Sequence, residues 1–390
     1  MQMSNIKIDN TDVVIIGAGI MGLSTAYYLS RFGLKIYIIE KESYVGGNTT
    51  MRCAGGIRTQ FSSYENIVLS ILNRKKMIEL EKDCRASIAY NSCGYAFAFT
   101  DENSAKEAEK AVDLQREMLV DSEFLSSEKM HYMFKNIFIE DVLLTTYCKD
   151  DGLINVSMLL TLLKRELYKG GVKILCNTTV QNIEVKNNKI SKVILDDGEL
   201  LTPIVVNAAG PWAKQIGDMV NIRIPIEPSP QQLWVTESVS WANSDMPVLI
   251  FSDEGIGIHW ESGGLLSGFN KPYRKTETTY AEIDLDWEIQ HCKKAVERIP
   301  DLYNKKIISR WAGFYETTID DLPIVGPCGP LGMYCIAGFN GHGISQALAC
   351  GYLLSSIITD KLIEDFNISC LSFYRFSNTL VKAEKTGYKI

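Results

Sequence analysis

Apolar positions in this chain form short unbroken runs near both ends and alternating or helical patterns between them. Residues 13–17 (Val-Val-Ile-Ile-Gly) and 35–39 (Lys-Ile-Tyr-Ile-Ile) read as buried strands. Ala26, Leu29 and Gly33 fall at core-facing helical positions between them. Ile67, Ile71, Leu72 and Ile78 predict a helix over 63–83. Residues 94–100 alternate aromatic and small side chains and predict a strand, followed by a charged amphipathic helix over 101–120 with a solvated face. A short capped helix is expected from Ser126, a strand over 142–147, a helix over 156–169 and a core strand over 172–176. Short strands at 179–185, 190–195 and 200–204 form a β-meander with turns at Asn187-Asn188 and Asp197-Gly198. Residues 204–212 read as a buried strand, small residues and a helix start. The stretch 224–269 is mainly β, 279–298 is a helix stopped by Pro300, and 307–315 is a strand. The last third gives a turn and strand over 321–326, a strand over 333–338, a loop over 339–343 and a helix over 344–359.

Glycine-bearing strand–helix units therefore sit at both ends, with a β-rich block between. At 390 residues the chain calls for two or three domains, or one α/β domain carrying an insertion. The net charge of −7 disfavours nucleic acid as the main partner, and no apolar run reaches bilayer-spanning length. The opening residues lack a signal-peptide pattern, so a cytoplasmic protein is expected. The ten cysteines form no C-x-x-C pair, and the four histidines give no zinc-like spacing. Buried reduced thiols are expected, and no metal centre.

The chemistry begins at Gly17, Gly19 and Gly22, spaced G-x-G-x-x-G between the first strand and its helix. Gly17 permits a tight turn, Gly19 lets a pyrophosphate approach the backbone, and Gly22 brings helix and strand together. Glu40, at the end of the second strand, stands where an acid binds a ribose hydroxyl pair. The loop 41–58 is rich in glycine and small polar residues; Thr49, Thr50, Arg52 and Arg58 within it are candidate ligand contacts. A second glycine loop, Asn340-Gly-His-Gly343, precedes the last helix, whose dipole would favour negative charge on a bound ring. A dehydrogenase using nicotinamide alone gives that second loop no role.

Four segments carry a resemblance: Val14-Ile-Ile-Gly-Ala-Gly-Ile-Met-Gly22 with Glu40, Val205-Val-Asn-Ala-Ala-Gly-Pro-Trp-Ala213, Tyr315-Glu-Thr-Thr-Ile-Asp-Asp-Leu-Pro-Ile-Val-Gly326 and Ala337-Gly-Phe-Asn-Gly-His-Gly-Ile-Ser345. In that order they resemble the FAD-dependent D-amino-acid-oxidase superfamily, over nearly the whole length. Thr50-Met-Arg-Cys-Ala-Gly-Gly-Ile-Arg-Thr-Gln-Phe61 is similar to sarcosine oxidase β-type chains and the β subunit of archaeal dye-linked L-proline dehydrogenases. The resemblance implies a mixed α/β (α+β) fold: a discontinuous Rossmann-like FAD-binding domain with an inserted mixed β-sheet substrate domain. The expected bounds are 1–90, 140–223 and 320–390 for the first, and 91–139 and 224–319 for the second.

It further implies a cofactor site. Gly17, Gly19, Ile20, Met21 and Gly22 would meet the pyrophosphate and Glu40 the ribose. Lys41, Thr49, Thr50 and Arg52 would wrap the cofactor, and Val180 would meet the adenine. Ala209, Gly210 and Trp212 would lie beside it, and Asn340, Gly341, His342, Gly343 and Ile344 would meet the flavin. The implied reaction oxidises the C–N bond of a small amino acid such as proline, sarcosine or glycine by hydride transfer to flavin N5, with oxygen, a quinone or a dye as acceptor. Arg58 is the candidate for the substrate carboxylate. His342 is a candidate base or a packing residue, and Tyr315 a pocket or core aromatic; Tyr273 and His259 have less support. Two positions depart from sarcosine oxidase-like enzymes. Leu266 stands where they carry an oxygen-activating lysine, and Gly313 where a cysteine binds flavin. Non-covalent FAD and weak oxygen reactivity are the expectations. Oxidation of a hydroxy compound such as glycerol 3-phosphate, and an FAD-binding subunit within a homo- or hetero-oligomer, are the other readings.

Overall fold

The computed structural model describes residues 6–270, 280–363 and 366–377. Two large sheets organise it. The first has six strands in the order Ile324–Pro327, Met333–Ala337, Ile204–Asn207, Val13–Ile16, Ile36–Ile39, Lys173–Leu175. All neighbours run parallel except Ile324–Pro327 with Met333–Ala337. The unbroken apolar runs follow from burial on both faces. Val13, Ile15, Ile36 and Ile38 pack under the helices Ile20–Ser30, Tyr64–Cys84, Val156–Lys169 and Ala347–Ile358. Their alternate neighbours Val14, Ile16, Tyr37 and Ile39 pack on the other side, against the meander and the helix Ala213–Asp218. The meander strands are Val180–Lys186, Lys189–Leu195 and Gly198–Leu201, with Ile6–Asn10 added in parallel at the edge. Asn187 and Asn188 both take positive φ (51° and 59°), which the tight hairpin turn requires.

The second sheet has eight strands in the order Ile307–Thr317, Glu227–Thr236, Gly264–Phe269, Ile256–Glu261, Val248–Phe251, Tyr95–Phe99, Leu144–Cys148, Ser122–Phe124. Only Val248–Phe251 with Tyr95–Phe99 is parallel. The segments 91–139 and 224–319 thus meet in one sheet. The strand expected at 142–147 is Leu144–Cys148, and it pairs with Tyr95–Phe99 in this sheet. Leu144–Cys148, near the start of the segment 140–223, thus shares its sheet with strands from 91–139 and 224–319.

Two helix starts differ from the periodicity. The helix expected from 279 begins at Leu285, where the Asp284 side chain accepts from the Trp287 amide at 3.1 Å; Thr279 and Tyr273 lie outside the described residues. The last helix begins at Ala347, since Gly343–Ser345 form a separate 3-10 turn. Among the described residues no helix is long and apolar enough to cross a membrane, and no group of His, Cys, Asp or Glu is placed to hold a metal ion. None of the ten cysteines forms a disulfide.

Candidate cofactor and substrate site

The carboxyl ends of the parallel strands open onto a crevice, the usual place for a ligand in such sheets. Val13–Ile16 turns there through Gly17, whose φ of +107° favours glycine. A Cβ on Gly17 would lie 2.4 Å from the Ala208 carbonyl oxygen, so the turn closes directly against the loop after Ile204–Asn207. Gly19 caps the helix Ile20–Ser30, whose first turn carries no acidic residue and leaves its dipole open to an anion. The Thr50 hydroxyl accepts from the Ile20 amide at 3.1 Å and lies 3.2 Å from where a Cβ on Gly19 would sit. Gly22 stands apart. A Cβ there would come within 2.0 Å of the Gly17 carbonyl oxygen, so Gly22 serves the expected helix–strand packing, and it lies off the cavity wall.

Glu40 follows Ile36–Ile39 and is buried. Its carboxylate accepts from the Ala18 amide at 2.7 Å and the Glu42 amide at 2.9 Å, tying the glycine turn to the next loop. Burial raises its pKa, opposed by those two bonds. The loop then wraps the crevice. Lys41 Nζ sits 3.3 Å from the centre of the Trp212 ring, and burial lowers its pKa. The Arg52 guanidinium donates to the Ala312 carbonyl at 2.8 Å and the Arg52 backbone carbonyl accepts from the Trp311 indole at 2.8 Å, so this residue binds the loop to Ile307–Thr317. Gly313 faces the Arg52 stem, which a Cβ would approach to 3.3 Å.

The second glycine loop reaches the same crevice. Asn340 takes positive φ (52°); its Oδ1 accepts from the Thr318 amide at 2.8 Å, and its Nδ2 donates to the Gly338 carbonyl at 2.8 Å. A Cβ on Gly341 would lie 2.5 Å from the Tyr315 ring, and one on Gly343 2.8 Å from the Met21 side chain. Gly343 therefore joins the loop to the first glycine helix.

Beyond this loop lies Arg58, 6% exposed. Its guanidinium carbon stands 3.9 Å from the centre of the Phe61 ring and 5.3 Å from that of Phe97, and Nη1 donates to the Gln60 carbonyl. Its amide donates to Ser345 Oγ at 3.2 Å, linking it to the turn after the glycine loop. Its charge acts on Tyr95, Tyr315 and His342. Burial, with a smaller effect from Cys53, pushes Tyr315 up to about 12 against the opposing effect of Arg58. Burial, then Arg58, pushes His342 down to about 3, with Gln346 opposing. Both are neutral near pH 7, and His342 is too weak a base to hold a substrate proton. His259 is buried, its Nδ1 lies 2.8 Å from the Trp260 carbonyl, and its Nε2 has no partner among the described residues.

These parts line one cavity of about 800 Å³. Among the described residues, every expected cofactor and substrate contact except Gly22 is on its wall: Gly17, Gly19, Ile20, Met21, Glu40, Lys41, Thr49, Thr50, Arg52, Arg58, Val180, Ala209, Gly210, Trp212, Gly313, Tyr315, Asn340, Gly341, His342, Gly343 and Ile344. His259 and Leu266 line it too. So does Glu316, which sequence reasoning missed. Its signal was strand alternation: Ala312, Phe314 and Glu316 share the buried face of Ile307–Thr317.

The wall fits FAD. Glycines keep side chains out of the crevice where pyrophosphate would lie. Asn48 Oδ1, Thr49 Oγ1, Glu316 Oε2 and His342 Nδ1 line it as buried polar atoms without a partner among the described residues. Such atoms are rare unless a ligand or water completes them.

A family model described as FAD dependent oxidoreductase matches residues 12–357. The chain is 26% identical to FAD-dependent oxidoreductase domain-containing protein 1 of Bos taurus, over 96% of this chain and 86% of that protein. It is 26% identical to mitochondrial sarcosine dehydrogenase of Homo sapiens, over 88% of this chain and 39% of that protein. The structure of L-proline dehydrogenase from P. horikoshii superposes with a TM-score of 0.88 at 26% identity, over 95% of this chain and 98% of that one. Match, fold and crevice agree: the chain belongs to the family of FAD-dependent oxidoreductases.

Proposed function

We propose that this protein oxidises the C–N bond of a small amino acid of the proline, sarcosine or glycine type. The buried Arg58 on the cavity wall carries the reading. A guanidinium stacked on Phe61 offers a planar fork to a carboxylate in a water-poor pocket. L-proline dehydrogenase and sarcosine dehydrogenase, by their names, act on amino acids of this type.

FAD, when bound, supplies the two-electron acceptor for the hydride. Gly17, Gly19, Thr50 and Glu40 would hold its adenosine and pyrophosphate end, and Asn340 to Ile344 its ring end. Arg58 orients the substrate by its carboxylate. Tyr95, Phe61 and Tyr315 exclude water around it, and a dry aromatic wall disfavours the ammonium form of the substrate nitrogen. The amine then reaches its reactive neutral form without a side-chain base, which suits the weakly basic His342. A glycerol 3-phosphate reading asks for a second cation beside Arg58, whereas Lys41 is stacked on Trp212 and Arg52 is tied to Ala312. A reducing compartment, the cytoplasm in the simplest case, suits ten unpaired thiols.

A dye-coupled assay against proline, sarcosine, glycine, a 2-hydroxy acid and glycerol 3-phosphate tests this. Turnover is expected with an amine; turnover with the hydroxy compounds alone overturns the reading. The flavin is proposed to be non-covalent, since Gly313 offers no thiol. Acid precipitation should leave the protein pellet colourless and the yellow colour in solution; a yellow pellet contradicts this. Leu266 is buried on the cavity wall opposite His259 in the strand register. With no cation at Leu266, reduced enzyme should return its electrons to a dye at least about tenfold faster than to oxygen, and Leu266→Lys should raise the oxygen rate by a similar factor. Equal wild-type rates with both acceptors would sink the expectation.

A further inference from the structure

Glu316 is a carboxyl group without an assigned task. It lies at the end of Ile307–Thr317, 7% exposed and on the cavity wall. The backbone amides of Gly338 and Phe339 lie near its carboxyl group and favour its charged form, while Oε2 is buried without a partner among the described residues. That oxygen lies 3.5 Å from where a Cβ on Gly210 would sit. The carboxyl thus stands between the loops that follow two adjacent parallel strands, Ile204–Asn207 and Met333–Ala337. The first of these loops touches the Gly17 turn through Ala208. This is the crevice in which a dinucleotide lies on such a sheet.

A charged carboxylate here would repel a bound pyrophosphate, whereas a neutral one has a proton to donate. We propose that Glu316 is a cofactor-binding residue whose carboxyl group acts as a hydrogen-bond donor, through Oε2, to an oxygen of the bound FAD. The claim rests on the family's cofactor, not on the amino-acid reading, and its test uses no substrate.

Burial pushes Glu316 up to about 8, against the two amides, with no charged neighbour contributing. The other titratable groups facing this region are few. The Cys335 thiol, on Met333–Ala337, is pushed up by the neighbouring Cys328 thiol and by burial, and feels Glu316 and Arg375. Arg375 itself pairs with Asp320 at 2.7 Å. Tyr315 precedes Glu316 on its own strand, and Lys41 stacks on Trp212 beyond Gly210. Because the donor form is the one that binds, cofactor affinity is full below the pKa of Glu316 in the free protein and is lost as pH rises through it. Between pH 7 and pH 9 the loss reaches up to about tenfold.

Equilibrium dialysis of holoenzyme against buffers from pH 6.5 to 9.5, with released flavin read by fluorescence, tests the proposal. Wild type is expected to lose FAD affinity up to about tenfold between pH 7 and 9. Glu316→Gln, a neutral donor, should bind at least as well at pH 9 and show a flat profile. Glu316→Leu should bind weakly at every pH. A flat wild-type profile overturns the proposal without any variant. So does a Glu316→Gln profile as steep as wild type, which would move the titration to another group such as Lys41.

Discussion

Replacing Arg58 with lysine is expected to lower kcat/KM for the amino acid about 100-fold, and with glutamine about 1,000-fold, while FAD stays bound. The magnitude follows from burial. A carboxylate carried into this pocket leaves water and is compensated by the guanidinium alone. Removing one partner of a buried charge pair costs about 3–5 kcal/mol, or about two to nearly four decades in rate. Lysine keeps the charge but loses the fork and its stacking on Phe61, so its loss is smaller. The check is steady-state kinetics per bound flavin, with flavin content measured on the same sample. If Arg58 serves only to hold the Gln60 carbonyl, the variants will lose stability and flavin while the remaining holoenzyme keeps a normal KM.

The second large effect separates Gly17 from Gly19, two positions along the chain. Gly17→Ala should destabilise the protein by about 3 kcal/mol and yield flavin-free material. Its Cβ would meet a backbone carbonyl at 2.4 Å in a φ region that alanine avoids, and a backbone atom has nowhere to go. Gly19→Ala meets only the Thr50 hydroxyl, at 3.2 Å and without φ strain. Its fold should remain within about 1 kcal/mol of wild type, and its loss should fall on FAD affinity. Thermal melts of both variants, with and without added FAD, check the pair. Equal destabilisation of the two apoproteins would show that the crevice at Gly19 is a packing feature instead of a phosphate cradle.

Much of this molecule was legible because burial on both faces writes itself into sequence. Val13–Ile16 and Ile36–Ile39 are apolar throughout since alternate residues feed two different cores. The turns of the meander were legible because positive φ selects asparagine and glycine. Pairing partners were not. Nothing in the alternation of Leu144–Cys148 says which sheet it joins, because that is decided by residues some fifty positions away on Tyr95–Phe99. The two-residue pairing of Gly56–Ile57 with Gly152–Leu153 is too short to leave a pattern, yet it holds the loop that carries Arg58.

The site divided in the same way. Its glycines stood out because close backbone approach excludes every other residue, and the structure brings both glycine loops together at Met21 and Gly343. Gly22 shows the limit of spacing: the motif counts it with the cradle, while the structure puts it underneath. Glu316 shows another. A lone glutamate carries no motif, and strand alternation turns it inward. Of the two readings of His342, packing residue and base, burial favours the first, since the enclosure of the second glycine loop drives its pKa down to about 3.

The central claim is that a small amino acid, held by Arg58, gives its electrons to FAD in this cavity. Anaerobic addition of proline, sarcosine, glycine and D-amino acids to the yellow holoenzyme, followed by absorption, tests it most directly. At least one of them is expected to bleach the flavin bands in wild type, and Arg58→Gln, with flavin still bound, to bleach far more slowly. Unchanged bands with every amino acid, alongside bleaching by a hydroxy acid or glycerol 3-phosphate, would contradict it.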